Sequence, residues 1–133
     1  MFELAIKTEA RVQSLDITPR IEQKIQEIGL KEGAVLIFSP HSTAAVTINE
    51  NADPNVQKDL LEALERLVPW APSYSHAEGN ADAHIKTSLI GPSVLVPVEA
   101  GRLKLGPWQG VLFLEFDGPR ARKLWVRPML PWE

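Results

Sequence analysis

The run Gly110-Val111-Leu112-Phe113-Leu114-Glu115-Phe116, its loop Asp117-Gly118-Pro119-Arg120 and the run Ala121-Arg122-Lys123-Leu124-Trp125-Val126-Arg127 decide the fold class. Side chains alternate along an extended chain. Leu112, Leu114 and Phe116 therefore face one way, opposed to Phe113 and Glu115. Asp-Gly between two such runs is a hairpin signal, here in a loop lengthened by Pro119 and Arg120. Ser93–Pro97 and Arg102–Leu105 are shorter extended runs before it, so everything after residue 93 reads as strand.

Upstream the pattern is mixed. Phe2, Leu4 and Ile6 alternate with polar residues and predict a half-buried strand over 2–7, followed by a second over 12–17. Thr18-Pro19 suits a helix start, Ile21, Ile25 and Ile28 recur at helical spacing, and Gly29 suits its end. Ala34–Phe38 and Ala44–Ile48 are strand-like and are separated by Ser39-Pro40. Asp53-Pro54 starts a second helix with Val56, Leu60, Leu61, Leu64, Leu67 and Val68 on its apolar face, stopped by Pro69. Asn80 can cap a short helix over 81–89, placing Asp82 and Lys86 four apart on one face, with His84 elsewhere beside Ser88. Strands and helices that interleave and then give way to strands predict an α+β fold rather than a parallel α/β one.

A chain of 133 residues fits one domain, spanning residues 1–133, and its 44% hydrophobic and 23% charged content is that of a soluble globular protein. Net charge of -3 supplies no basic footprint for nucleic acid. The absence of cysteine excludes disulfides, thiolate metal sites and cysteine nucleophiles. No apolar stretch reaches membrane-span length, and the first ten residues lack the basic-then-apolar pattern of a secretory signal. The expectation is a cytoplasmic protein without membrane association.

The three histidines, His41, His76 and His84, all lie in polar surroundings (S-P-H-S-T and S-H-A-E-G-N-A-D-A-H). Polar loops and element ends are where sites are built, and imidazole serves both as metal ligand and as acid or base. The same placement also suits ordinary surface histidines. Three ligands with an open fourth position is the usual plan of a catalytic zinc site, and the chain has no histidine to spare. Glu78, Asp82, Glu50 or Asp53 could then orient the rings or accept a proton. Asn49–Asp53 reads first as a polar turn with Asp53 as helix cap, and second as carboxylates and amides facing a pocket. Gly106-Pro107-Trp108-Gln109-Gly110 reads as a turn anchored by a buried indole, with Gln109 free to meet substrate. Glu115, Asp117 and Arg120, two acids and an arginine at the turn, form either a solvated turn with a surface ion pair or an anion site, since guanidinium matches carboxylate and phosphate bidentately.

Three long segments, H-S-T-A-A-V-T-I-N-E-N-A-D-P from His41, H-A-E-G-N-A-D-A-H-I-K-T-S-L-I-G from His76 and W-Q-G-V-L-F-L-E-F-D-G-P-R from Trp108, together resemble the YjbQ-like family. That resemblance implies an α+β domain with a folded, mixed, pseudobarrel-like sheet, a homotrimer, and thiamine-phosphate synthase activity. It implies a divalent metal, zinc in the first instance, on His41, His76 and His84. It puts Glu50, Asp53, Asn80, Asp82, Lys86, Ser88, Gln109, Asp117 and Arg120 at motif positions around a pocket. Lys86 and Arg120, cations in an acidic chain, lead us to expect a small, phosphorylated substrate there, with Glu50 or Asp82 moving the proton while the metal polarises an oxygen or activates water. Pro107 departs from the family's threonine and removes a hydroxyl and an amide donor. A metal-assisted hydrolase and a non-catalytic trimeric binding module are the alternatives.

Overall fold

The computed structural model describes residues 1–131. Its central strand is β7 (Gln109–Glu115), which is buried on both faces. Val111 and Phe113 point into the main core, while Leu112, Leu114 and the following Phe116 point into a second one. β7 lies between β2 (Gln13–Asp16) and β4 (Ala44–Glu50) in a three-stranded sheet. A five-stranded sheet takes the order β1 (Phe2–Lys7), β8 (Ala121–Met129), β3 (Gly33–Phe38), β5 (Ser93–Glu99) and β6 (Arg102–Leu103).

The two sheets face each other. Leu4, Ile6, Val35, Ile37, Val96, Leu124 and Val126 from the larger sheet meet Ala44, Val46, Val111 and Phe113 from the smaller. Helix α1 (Thr18–Ile28) closes this core with Ile21 and Ile25, both fully buried. On the other side of the smaller sheet, α2 (Pro54–Leu67) and α3 (Ala81–Ile90) pack Leu64 and Ala83 against Ala45, Leu112, Leu114 and Phe116. The α+β class and the folded sheet stand. The sheet expected to be mixed is two sheets in which every strand pairing is antiparallel.

The expected hairpin across Asp117-Gly118 does not form. β7 already has β2 and β4 on its two edges, and β8 has β1 and β3, so neither has an edge left for the other. The turn instead carries the chain from one sheet to the other. Gly118 donates its N–H to the Arg11 carbonyl at 3.0 Å, and a Cβ there would stand 2.3 Å from the Ala10 carbonyl oxygen. Only glycine permits that approach.

The helices begin and end close to the positions that the sequence signals mark, with different atoms doing the capping. Asp53 caps α2, accepting from the Asn55 N–H at 2.9 Å, and Pro54 follows as the first helical residue. Gly29 ends α1 in the left-handed region. Thr18, expected as the α1 cap, lies inside the helix, because Asp16 takes its N–H at 3.0 Å and its hydroxyl at 2.6 Å. Asn80 stands at the N-cap position of α3, yet its side chain makes no cap bond. Ile28 and Leu67 lie at helix ends beyond the core and are exposed.

No helix among the described residues is long and apolar enough to cross a membrane. The outer face of the five-stranded sheet carries an apolar patch, in which Phe38 stacks on Trp125 beside half-buried Leu36 with Leu95 and Met129 exposed, flanked by Glu3, Lys123 and Arg127.

Candidate functional site

Three chain segments meet at one end of the smaller sheet and enclose a cleft of 280 Å³. The β3–β4 connection supplies Pro40, His41, Ser42 and Thr43; the α3 entry supplies Glu78, Asn80 and His84; the β7–β8 passage supplies Asp117, Arg120 and Arg122. A wider hollow of 570 Å³ beside Leu95, Met129 and Leu130 has Glu32 as its one titratable lining residue.

Its floor is a buried ion pair. Arg122 Nε donates to Glu115 Oε1 at 2.7 Å, and Nη2 donates to Glu115 Oε2 and, at 2.8 Å, to Thr43 Oγ1. Thr8 adds a hydroxyl bond to Glu115 Oε1 at 2.8 Å, and the Asp117 N–H adds another to Oε2 at 3.0 Å. Burial alone would push the Glu115 carboxyl up. The bonds from Arg122, Asp117 and Thr8, with the Arg122 charge, outweigh it and hold Glu115 below the usual carboxylate range.

His41 sits at the edge of this pair, its Nε2 accepting from the Lys123 N–H at 2.9 Å. Burial, reinforced by the Arg122 charge, lowers its pKa against the Lys123 backbone contact and Glu115, which pull the other way. His41 is therefore neutral at physiological pH, the form in which imidazole donates a lone pair. His84, on α3, meets His76 edge to face with ring centroids 5.1 Å apart, and Glu78 Oε2 stands 3.8 Å from His76 Nε2. All three histidines thus belong to one neighbourhood, His76 through its contact with His84. No three imidazole or carboxylate groups among the described residues stand close enough to share an ion as placed.

Asn80, Asp117 and Arg120 form a chain along the cleft wall. Asn80 Nδ2 donates to Asp117 Oδ2 at 2.8 Å, and Arg120 Nη2 donates to the same oxygen at 2.7 Å. Arg120 Nε is held by the Asp117 carbonyl at 2.7 Å. Asn80 Oδ1 is buried with no partner, and the Asp117 carboxylate fixes the amide in that orientation by requiring a donor.

Five expected residues lie elsewhere. Asp82 and Lys86 are fully buried beneath α3, on the face toward α2: Asp82 takes Arg11 Nη2 at 3.1 Å, and Lys86 bonds Glu65 and, at 3.4 Å, Asp82. Two residues along a helix turn the side chain by about 200°, so a His84 that faces the cleft points these two away from it. Ser88, also on α3, is exposed and returns its hydroxyl to the His84 carbonyl at 2.9 Å. Glu50 pairs with Gln109 at the opposite ends of β4 and β7, roughly 20 Å of strand from the cleft. Gln109 closes its own turn by accepting from the Gly106 N–H at 2.8 Å, and Trp108, expected to be buried, is 63% exposed. Pro107 shares that turn, so its departure from the family pattern is remote from the histidines.

Arg122 and Thr43 are the members missed in the sequence, and Glu115, expected at the turn with Arg120, pairs with Arg122 instead. Glu115 showed the one available signal, a carboxylate in an otherwise apolar strand, since a buried charge requires a partner.

The family model described as UPF0047 protein YjbQ-like matches residues 2–130. UPF0047 protein YugU of Bacillus subtilis is 50% identical over 127 residues, covering 95% of this chain and 96% of that protein. UPF0047 protein MJ1081 of Methanocaldococcus jannaschii is 47% identical, covering 96% and 92%. A crystal structure from Clostridium acetobutylicum, described as an uncharacterized conserved protein of the yjbq/upf0047 family, superposes with a TM-score of 0.94 at 46% identity, covering 97% of this chain and all of that one. The conserved hypothetical protein TT1486 of Thermus thermophilus gives a TM-score of 0.90 at 41% identity, covering 97% of this chain.

Proposed function

The chain belongs to the UPF0047 YjbQ-like family, and from that premise we propose that the cleft is the active site of a metal-dependent enzyme acting on a small phosphorylated metabolite, nominally a thiamine-phosphate synthase. One observation carries this reading: His41, His84, Asn80, Asp117 and Arg120, scattered over eighty residues of sequence, line a single cleft, and His76 touches His84.

The donor set suits a borderline ion such as zinc. It comprises imidazoles alone, one held neutral, and the Nε2 of that one lies 3.1 Å from the Lys123 carbonyl, the kind of contact a ligating histidine makes with its second nitrogen. His41, His76 and His84 would hold the ion, which supplies polarisation of a substrate oxygen or of water. The chain's own residues do the rest. Arg120 takes the anionic group with the part of its guanidinium not bonded to Asp117, and the rigid Arg122–Glu115 pair fixes the cleft floor. Glu78 replaces Glu50 and Asp82 as the carboxylate within reach, being the one in the cleft that no arginine holds.

A second reading, binding without turnover, is favoured by the removal of Glu50 and Asp82 from the cleft. A metabolite screen for turnover by zinc-loaded protein, with His84→Ala as control, separates the two. Turnover lost in the control supports the enzyme; ligand binding without product supports the module. We further propose that the protein works in the cytoplasm as a homotrimer, supported by the apolar patch around Leu36, Phe38 and Trp125. Sedimentation as a monomer at micromolar concentration would remove that assembly.

A further inference from the structure

Arg120 and Arg122 are two apart, and the β1–β8 ladder runs through both. Ile6 pairs with Arg122, and the Thr8 N–H donates to the Arg120 carbonyl at 2.9 Å. Residues two apart on an extended chain share a face, and both arginines line the cleft. Each is held the same way by an acid from the chain leaving β7. Arg122 spends Nε and Nη2 on the Glu115 carboxylate, and Arg120 spends Nε and Nη2 on the Asp117 carbonyl and carboxylate.

A guanidinium has more N–H donors than one carboxylate takes, and what is left over in both residues is Nη1. Neither Nη1 has a partner among the described residues. For Arg120 this is ordinary, because half of its side chain is exposed. Arg122 is only 5% exposed, and a donor sealed inside a protein without a partner is costly. Its Nη1 is not sealed in: among the described residues the fully buried side-chain atoms without a partner are Asn80 Oδ1 and Thr87 Oγ1. Nη2, at the same end of the guanidinium, donates to Thr43 Oγ1, another residue of the cleft. The opening at Nη1 therefore gives onto the cleft floor, on the face that Arg120 shares.

We propose that Arg122 is a second ligand-binding arginine, its Nη1 and that of Arg120 donating together to one phosphate group, with Glu115 and Asp117 as the positioning residues that aim them. This rests on the phosphorylated-ligand reading above and on no metal. A phosphate offers several acceptor oxygens, so each Nη1 can take one of its own. Because each arginine is already paired with an acid, selection comes from the direction of the donors rather than from net positive charge. Glu78, the remaining acid of the cleft, is largely exposed and is free to turn toward solvent.

Spectra of the arginine Nη–H groups in the intact, 15N-labelled protein, recorded as methyl phosphate is added, test this, with Arg120→Ala and Arg122→Lys assigning the two sets of signals. The lysine can still pair with Glu115. Its urea midpoint reports whether that variant folds as the parent does, and the parent's own spectra decide the question where it does not. The expected result is that the Arg122 Nη1 signal moves with methyl phosphate at the same half-saturation as that of Arg120. Arg122→Lys should also weaken binding by about tenfold, the worth of one charge-assisted hydrogen bond. An Arg120 signal that moves while that of Arg122 stays still overturns the proposal and leaves the phosphate reading standing. Methyl phosphate that moves neither signal overturns the phosphate reading, and the proposal with it.

Discussion

Glu115 on β7 and Arg122 on β8 form a buried, two-armed ion pair joining two sheets that share no strand pairing. The arginine is 5% exposed and the glutamate not at all. Removing one partner of such a pair strands the other charge, at a cost of about 3–5 kcal/mol, whereas an apolar replacement of both can be nearly neutral. Arg122→Met should therefore lower the urea midpoint sharply, and Arg122→Met with Glu115→Leu should recover much of the loss. A double variant as unstable as the sum of its singles would mean that the pair does not act as a unit.

The same carboxylate sets an acid limit. Glu115 is held below its ordinary value of 4.5, so the native state binds fewer protons than the unfolded chain between the lowered value and 4.5. Its contribution is fully present above pH 4.5 and is lost as pH falls through the lowered value. Urea midpoints followed from neutral pH into the acid range should fall less steeply for Glu115→Gln than for the parent. Parallel curves would remove Glu115 from the acid transition.

Lys86 lies beneath α3 between Glu65 and Asp82, with its ammonium 5.9 Å from the Phe116 ring centre. Lys86→Met should destabilise by about 3–5 kcal/mol through the stranded Asp82, softened by Arg11, which still reaches that carboxylate. Below its melting temperature the variant should bind phosphate esters as the parent does. A loss of ligand affinity without a loss of stability would return Lys86 to the cleft.

Arg120 makes the opposite prediction. It lies at the cleft and is half exposed, so Arg120→Ala should cost little stability. Loss of a charge-assisted hydrogen bond should weaken phosphate-ester binding by about tenfold, with zinc affinity changed far less. Calorimetric titration of both ligands into both proteins measures this, and equal ester affinities would end the phosphate reading.

Much of the local structure was legible because its causes are local. Asp53-Pro54 starts a helix through a bond two residues away, and the Ile21 and Ile25 spacing picks one helical face wherever that face is then packed. The histidine neighbourhood was legible in membership, through polar context and family motifs. Its support was not. Asp82 and Lys86 stand in the same motif as His84, and motif position says nothing about which side of α3 meets the cleft.

The order of strands and helices came from sequence alone, because alternation, helical spacing and turn chemistry act over a few residues, and the pooling of His41, His84, Asn80, Asp117 and Arg120 as candidates came from the family motifs that carry them. Tertiary structure alone decided that β7 and β8 part instead of forming a hairpin, that Glu115 is neutralised by Arg122 and Thr8, and that Lys123 holds the His41 ring. These contacts join residues as far apart as 107 positions. Which edge is occupied and which charge is buried depend on the strands and helices that arrive from elsewhere in the chain, and no local pattern encodes them.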